Sequence, residues 1–300
     1  MDPLSQLLSL LKPESFASGG VVLTADMSVQ WPAHEGVKCY AVVTGECWLS
    51  VEGITEPIRL AAGDCYLLPP GPSFRLATDL SVKTVDFQTL RAEMVSVTAE
   101  KLVEKSSCLL VGGHFFLAGR AAQILLGGLP QVVHIRKERD KAAMCWALER
   151  LSQEVREPEP GSGLIVQQLA FMLLIQALRL HASDNQKGNA GWLVALRDKK
   201  LSVALACMHQ NPEQKWTLNT LAFKAGMSRA AFAKHFGQAV GITPIEYLTQ
   251  WRMLLASDRL QRSGETISGI SAALGYESES AFRKAFKRVT GVPPGKVTRT

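Results

Sequence analysis

Between Thr217 and Gly226 the apolar residues Leu218, Leu221, Ala222 and Ala225 return every three or four positions, the spacing that lines one face of a helix. Thr217 stands where a side-chain oxygen caps a first turn, and Gly226 where a left-handed residue ends a helix. Ser228 then caps a second helix in which Phe232 and Phe236, four apart, face back toward the first. Arg229, Ala230, Ala233 and Lys234 fall on the opposite, outer face. A short helix, a Gly-bearing turn and a second helix with a polar outer face predict a helix-turn-helix. The pattern returns downstream. Ile270, Leu274 and Gly275 repeat Leu221, Ala225 and Gly226 at an offset of 49, and Phe282, Phe286, Gly291 and Pro294 repeat Phe232, Phe236, Gly241 and Pro244 at 50. Thr266 and Ser278 are the second set of caps, with Glu279, Ser280, Arg283 and Lys284 outward and Lys287 and Arg288 further along. Two copies are too few to stack as a solenoid, so the unit is a duplicated module.

Between the copies, Pro244–Gly264 opens on a first-turn proline, keeps Leu248, Trp251, Leu255 and Leu260 near one stripe and closes on glycine. This predicts one helix of roughly 18 residues, about 27 Å long. Such a strut can hold two recognition helices about one turn of B-DNA apart, near 34 Å.

The period changes over residues 20–90. Short runs such as VVLTADM, CYAVVTG, CWLSVEG, PIRLAAGDCYLLPPG and FRLATDL are separated by Gly, Pro and Asp turns, which predicts a small barrel or sandwich. Residues 120–183 read as mostly helical, with a break at Pro130 and helices within 140–183. That helical pair needs a surface to cover, either its own barrel or a second subunit. The polar, Gly-containing stretch at 184–191 reads as a linker. The expected class is α+β, with a β-barrel domain over 1–183 and an all-α domain over 192–300.

Charge sharpens the picture. From Arg197 to Thr300 there are 16 Lys and Arg against 7 Asp and Glu, a net of +9, whereas residues 1–196 carry 17 against 20, a net of −3. A basic tail on a mildly acidic body is the electrostatic footprint of a nucleic-acid-binding module. Here Leu201–Val297 resembles the DNA-binding domain of AraC/XylS transcription regulators, through LSVALACMHQNP, WTLNTLAFKAGMSRAAFAKHF, GITPIEYL and above all ISAALGYESESAFRKAFKRVTGVPP. The resemblance implies a double-stranded promoter or operator as partner, with RNA polymerase beyond it, and a homodimer. It places DNA contacts on Arg229, Ala230, Ala233 and Lys234, and on Glu279, Ser280, Arg283, Lys284 and Lys287. Small Ala230 and Ala233 point to thymine methyls or DNA shape in the first helix rather than hydrogen-bonding edges.

In the amino-terminal half, Gly63–Phe74 (GDCYLLPPGPSF) resembles the second cupin motif. Phe74 occupies its metal-binding His position. The first motif, counted back from Gly45, presents Pro32, His34 and Lys38 where ligands would stand. One surviving imidazole, His34, cannot hold a metal stably, so no metal, no other cofactor and no metal-dependent enzyme is expected. An alternative class, a cupin-fold enzyme or architectural protein tethered to DNA, loses weight for the same reason. The barrel is left as a sensor of a small-molecule effector near His34 and Phe74, or of an oxidant through thiols, with Cys108 foremost among Cys39, Cys47, Cys65 and Cys108. The six cysteines form no CxxC pair, and Leu164–Leu180 is too short and polar to span a bilayer comfortably. A cytoplasmic protein without a membrane partner is expected.

Overall fold

A computed structural model describes residues 1–11, 16–94, 107–117, 119–142, 144–183, 191–262 and 264–297. The expected linker lies outside these except for Gly191. In chain order the elements begin with α1 (Pro3–Leu10), β1 (Phe16–Leu23), β2 (Ser28–Trp31), β3 (Val37–Val51), β4 (Ile58–Ala61), β5 (Cys65–Leu68), β6 (Phe74–Ala77) and β7 (Val85–Asp86). There follow α2 (Phe87–Met94), β8 (Cys108–Phe115), α3 (Gly119–Leu126), β9 (Val133–Ile135), α4 (Glu138–Ala142), α5 (Cys145–Arg156) and α6 (Ser162–Ser183). The remainder is helical: α7 (Trp192–Ala195), α8 (Leu201–Gln210), α9 (Leu218–Lys224), α10 (Arg229–Val240), α11 (Pro244–Arg262), α12 (Ile267–Ala273) and α13 (Glu279–Thr290). The chain divides into two compact units, one of Pro13–Leu117 with Leu129–Asp184, the other of Met1–Lys12, Ala118–Gly128 and Asn185–Thr300.

In the β unit, two runs that read as separate strands form the single long β3. Its first half pairs with β5 and β8, its second with β4 and β6, and the register shifts between Val42 and Thr44 where the strand bends from one sheet into the other. Gly45 makes this possible: at φ +76° it lies so close to the neighbouring chain that a Cβ would sit 1.8 Å from the Ser107 carbonyl. The shared strand closes the sheets around buried Leu23, Trp31, Leu49, Tyr66, Phe74 and Leu110. One expectation is corrected here. The segment around Val133 is not helical but forms β9, antiparallel to β5, as its β-branched run and the preceding Pro130 favour. On the outside, α6 packs on β1, β8 and β9 and against α5. At 22 residues α6 is longer than its apolar run suggested and is long and apolar enough to cross a bilayer, as the core helix of a folded domain also can be. Leu169, Leu173, Leu174 and Leu178 are buried along it.

In the helical unit, α11 runs 19 residues from its first-turn proline, about 28 Å. Met253, Ala256 and Leu260 of α11 form a core with Ile270, Leu274, Phe282 and Phe286 of the second helix pair. The unit also takes in α1 and α3, from the amino-terminal half: α1 packs on α8 and α11, and α3 on α7 and α11. A buried polar node joins them. The Trp192 indole N–H donates to Tyr247 Oη at 2.6 Å, and the Tyr247 hydroxyl, 2.6 Å from His209 Nε2, donates to it. His209 Nδ1 then donates to Gln6 Oε1 at 3.1 Å. Burial pulls the His209 pKa down to about 3, so the ring is neutral and stacks 3.9 Å from Trp251.

Candidate nucleic-acid interface and barrel cleft

Both helix-turn-helix units form as their punctuation requires. Thr217 accepts from the Thr220 N–H, Ser228 from Ala231, Thr266 from Gly269 and Ser278 from Ala281, so each of the four short helices begins on a side-chain cap. The turns bend at Gly226, φ +61°, and Gly275, φ +77°, and α10 and α13 both end on left-handed glycines, Gly241 and Gly291. Phe232, Phe236, Phe282 and Phe286 are fully buried. Their burial turns the opposite faces outward. Arg229, Ala230 and Lys234 are exposed on α10 with Ala233 half-buried; Ser280, Arg283, Lys284 and Lys287 are exposed on α13 with Glu279 half-buried. The two groups lie on two helices at the ends of one strut.

What holds the units in fixed relation is a set of contacts that the repeat pattern did not reveal. Arg252 of α11 donates to the carbonyls of Pro212 at 2.6 Å and Gln214 at 2.9 Å, and lies 5.6 Å from the centre of the Tyr276 ring. Lys215 bonds Glu277 at 2.6 Å. Gly275 lies so tightly on the same loop that a Cβ would fall 2.0 Å from the Glu213 carbonyl. The loop before the first unit thus braces the turn of the second. On α13, Arg283 is paired with Glu279 at 2.7 Å, whereas Lys284 and Lys287 make no ion pair among the described residues.

The barrel presents a cleft of about 810 Å³ lined by Trp31, His34, Lys38, Phe87, His114 and Phe116, among others. Phe74 does not line it but stacks on Trp31, ring centres 5.2 Å apart. His34 Nδ1 donates to the Gly36 carbonyl at 2.6 Å, which leaves Nε2 as an acceptor. Burial lowers the His34 pKa and takes that of His114 to about 4, with the Lys38 charge adding to both shifts. Burial likewise brings Lys38 down to about 8. Among the described residues no group of three His, Cys, Asp or Glu is placed to hold a metal. Cys108 and Cys47 lie in the barrel core instead of the cleft, and Cys39 of β3 and Cys65 of β5, whose sulfurs are 3.9 Å apart, line neither. All four are at most 1% exposed. His114, Phe87, Phe116 and the cationic role of Lys38 escaped the sequence reading, which treated Lys38 only as a lost ligand.

With this geometry in place, known proteins match along the whole chain. The cupin family matches residues 2–183 and a helix-turn-helix domain family residues 221–300. An AraC-like transcription regulator of Streptomyces lividans is 40% identical over 98% of this chain and 97% of its own. The chain belongs to the AraC-like transcription regulators. A Streptomyces antibioticus relative of the same description is 38% identical over 98% of this chain and 97% of its own, and the HTH-type transcriptional regulator AlkR of Acinetobacter baylyi is 32% identical over 85% of each. It is thus a DNA-binding regulator of AraC type, a cupin-like domain joined to a double helix-turn-helix, and these relatives are described as regulators, not enzymes.

Proposed function

We propose that α10 and α13 enter two successive major-groove segments of one operator, so that a single chain reads what most helix-turn-helix proteins read as dimers. The observation that carries this is the brace formed by Gly275 on Glu213, Lys215 with Glu277, and Arg252, because it fixes the spacing of the two helices before DNA arrives. Lys284 and Lys287 supply phosphate contacts, Ser280 and Arg283 face base edges with Glu279 holding Arg283, and Arg229, Ala230, Ala233 and Lys234 make the lighter first contact. The domain boundaries that go with this reading are 1–183 for sensing and 192–300 for DNA binding, with α1 and α3 of the first stretch packed into the helical unit. The intact protein works as a cytoplasmic homodimer and passes its signal to RNA polymerase at the promoter. Nuclease protection on a bound promoter tests the arrangement: two protected patches on one face of the duplex, about 10 base pairs apart, are expected from one chain. A single patch under the native chain, unchanged when α13 is disabled, would refute it.

The barrel is the sensor in this reading, and its cleft receives an effector. The cleft opens to solvent and carries unsatisfied polar groups, which favours a ligand over an oxidant. The thiols are a weaker route because all four are at most 1% exposed: the hydrogen bond to Cys39 and burial hold Cys65 well above an ordinary thiol, and Cys47 is raised by its bond to Cys108, the same bond lowering Cys108. Replacing Cys39, Cys47, Cys65 and Cys108 by Ala, with promoter output measured under oxidant, decides between the two, since an oxidant response lost in the variant would restore the thiol route.

A further inference from the structure

We infer that the barrel cleft takes a small organic monoanion, an apolar or aromatic body bearing one carboxylate, with Lys38 as its counter-charge. This deepens the sensing reading and rests on it. Lys38 is half-buried, and among the described residues no carboxylate bonds its ammonium group, whose nearest recorded contact is the face of Phe74 at 5.6 Å. An ammonium held out of water without a partner is costly, and that cost shows as its depressed pKa. An incoming carboxylate removes it. The other polar groups reinforce the choice. His34 and His114, ring centres 6.0 Å apart, are neutral, and His114 Nε2 is buried with no hydrogen-bond partner. The Lys38 charge beside them disfavours a metal ion, and two neutral imidazoles can accept a hydroxyl or N–H from a ligand. Glu35 stands exposed at the same cleft, so a polyanion is disfavoured against a monoanion. The walls are flat and apolar: Trp31 stacks between Phe74 and Phe87, with centroids 5.2 and 5.1 Å away, and Phe116 lies 4.5 Å from His114. Such walls with few convergent polar groups are the usual make-up of a small-molecule site.

The test is calorimetric titration of the full chain with a series of aryl and alkyl carboxylates headed by phenylacetate. 2-Phenylethanol serves as the neutral counterpart, acetate as the charge without a body, and inorganic phosphate as the alternative anion. Phenylacetate is expected to bind at least about tenfold more tightly than any of the three. Lys38→Met should lose at least about tenfold, and Lys38→Arg, which keeps the charge, should retain most of the affinity. Above pH 8, where Lys38 sheds its proton in the free protein, the affinity should fall about tenfold per pH unit in the native chain and stay flat in Lys38→Met. Equal binding of 2-phenylethanol, unchanged binding by a Lys38→Met protein of native melting temperature, or binding by no carboxylate of the series would overturn the inference. The sensing reading fails separately: carboxylate binding that leaves operator affinity and promoter output unchanged sinks sensing while the anion site stands, whereas a neutral ligand that binds the cleft and alters operator affinity sinks the anion class and keeps sensing.

Discussion

Replacing Lys284 and Lys287 by Ala should weaken binding to every DNA sequence by a calculable amount. Both side chains are exposed on α13 and neither makes an ion pair among the described residues, so neither has an internal bond to exchange when a phosphate arrives. Each phosphate contact contributes about 0.9 to the slope of log affinity against log salt for B-DNA. Measured from 1 M salt, that slope gives about a fivefold contribution per contact at 0.15 M and about fifteenfold at 0.05 M. The double variant should therefore bind roughly 30-fold more weakly at 0.15 M and roughly 200-fold more weakly at 0.05 M, with a slope smaller by about 1.8. Fluorescence anisotropy with an operator duplex and an unrelated duplex, across a KCl series, measures both quantities. Equal losses on the two duplexes identify phosphate contacts, and a larger loss on the operator would assign base contacts to these lysines. An unchanged slope together with unchanged affinity would refute the placement of α13 against DNA.

Removing the Glu279 carboxylate as Glu279→Gln frees Arg283 from its 2.7 Å pair, and should raise affinity for non-operator DNA while narrowing the operator preference, as read by the same anisotropy assay. Tyr247→Phe strands the Trp192 N–H and the His209 ring nitrogen inside the helical unit, and should cost about 2–6 kcal/mol in denaturant unfolding, at about 1–3 per unsatisfied group. A loss below about 0.5 kcal/mol would mean that the node is not formed. Gly226→Ala meets open space and should cost about 1 kcal/mol for its left-handed backbone, whereas Gly275→Ala drives a methyl into the Glu213 carbonyl and should cost more and disturb the second unit; equal melting temperatures would contradict the brace. The depressed pKa of His209 makes the native state refuse a proton that the unfolded chain accepts near pH 6.5, so its stabilising effect is complete above that pH and declines as pH falls toward 3. Between pH 6 and 4 stability should drop on the order of 1 kcal/mol per pH unit more in the native chain than in His209→Gln, and identical pH profiles would contradict the buried neutral ring.

The double helix-turn-helix was legible because it is built from local signals. Caps at Thr217, Ser228, Thr266 and Ser278, glycines at the turns, and phenylalanines four apart each act within one or two turns of chain. The strand content of the barrel was legible for the same reason, but not the union of two runs into β3, because the bend at Val42 and Thr44 depends on β8 and the Ser107 carbonyl, far away in sequence. The Val133–Ile135 strand was missed inside a segment read as helical; three residues are too few to establish a period, and β5 supplies the edge that makes them a strand. Nothing in the period of α1 or α3 says which core they join. Their apolar faces would suit either unit, and only tertiary contacts such as Gln6 with His209 and Arg120 with Gln250, 3.3 Å, decide it. On the DNA side each candidate residue could be placed by helical phase alone. In the cleft, His114 and Phe116 come from β8 and its end, Phe87 from α2 and Lys38 from β3, a convergence that no spacing along the chain encodes.

Selection of bound duplexes from a randomised library by the purified full-length protein tests the central claim most directly, because it makes no assumption about the operator. If one chain places α10 and α13 in successive major grooves, the enriched sequences will share, for each bound chain, two short elements centred about 10 base pairs apart, and disabling α13 will erase one element of each pair while leaving the other. Enrichment of a single element, or of two whose separation varies freely, would contradict a pair of recognition helices held at fixed spacing by α11 and the loop at Glu213.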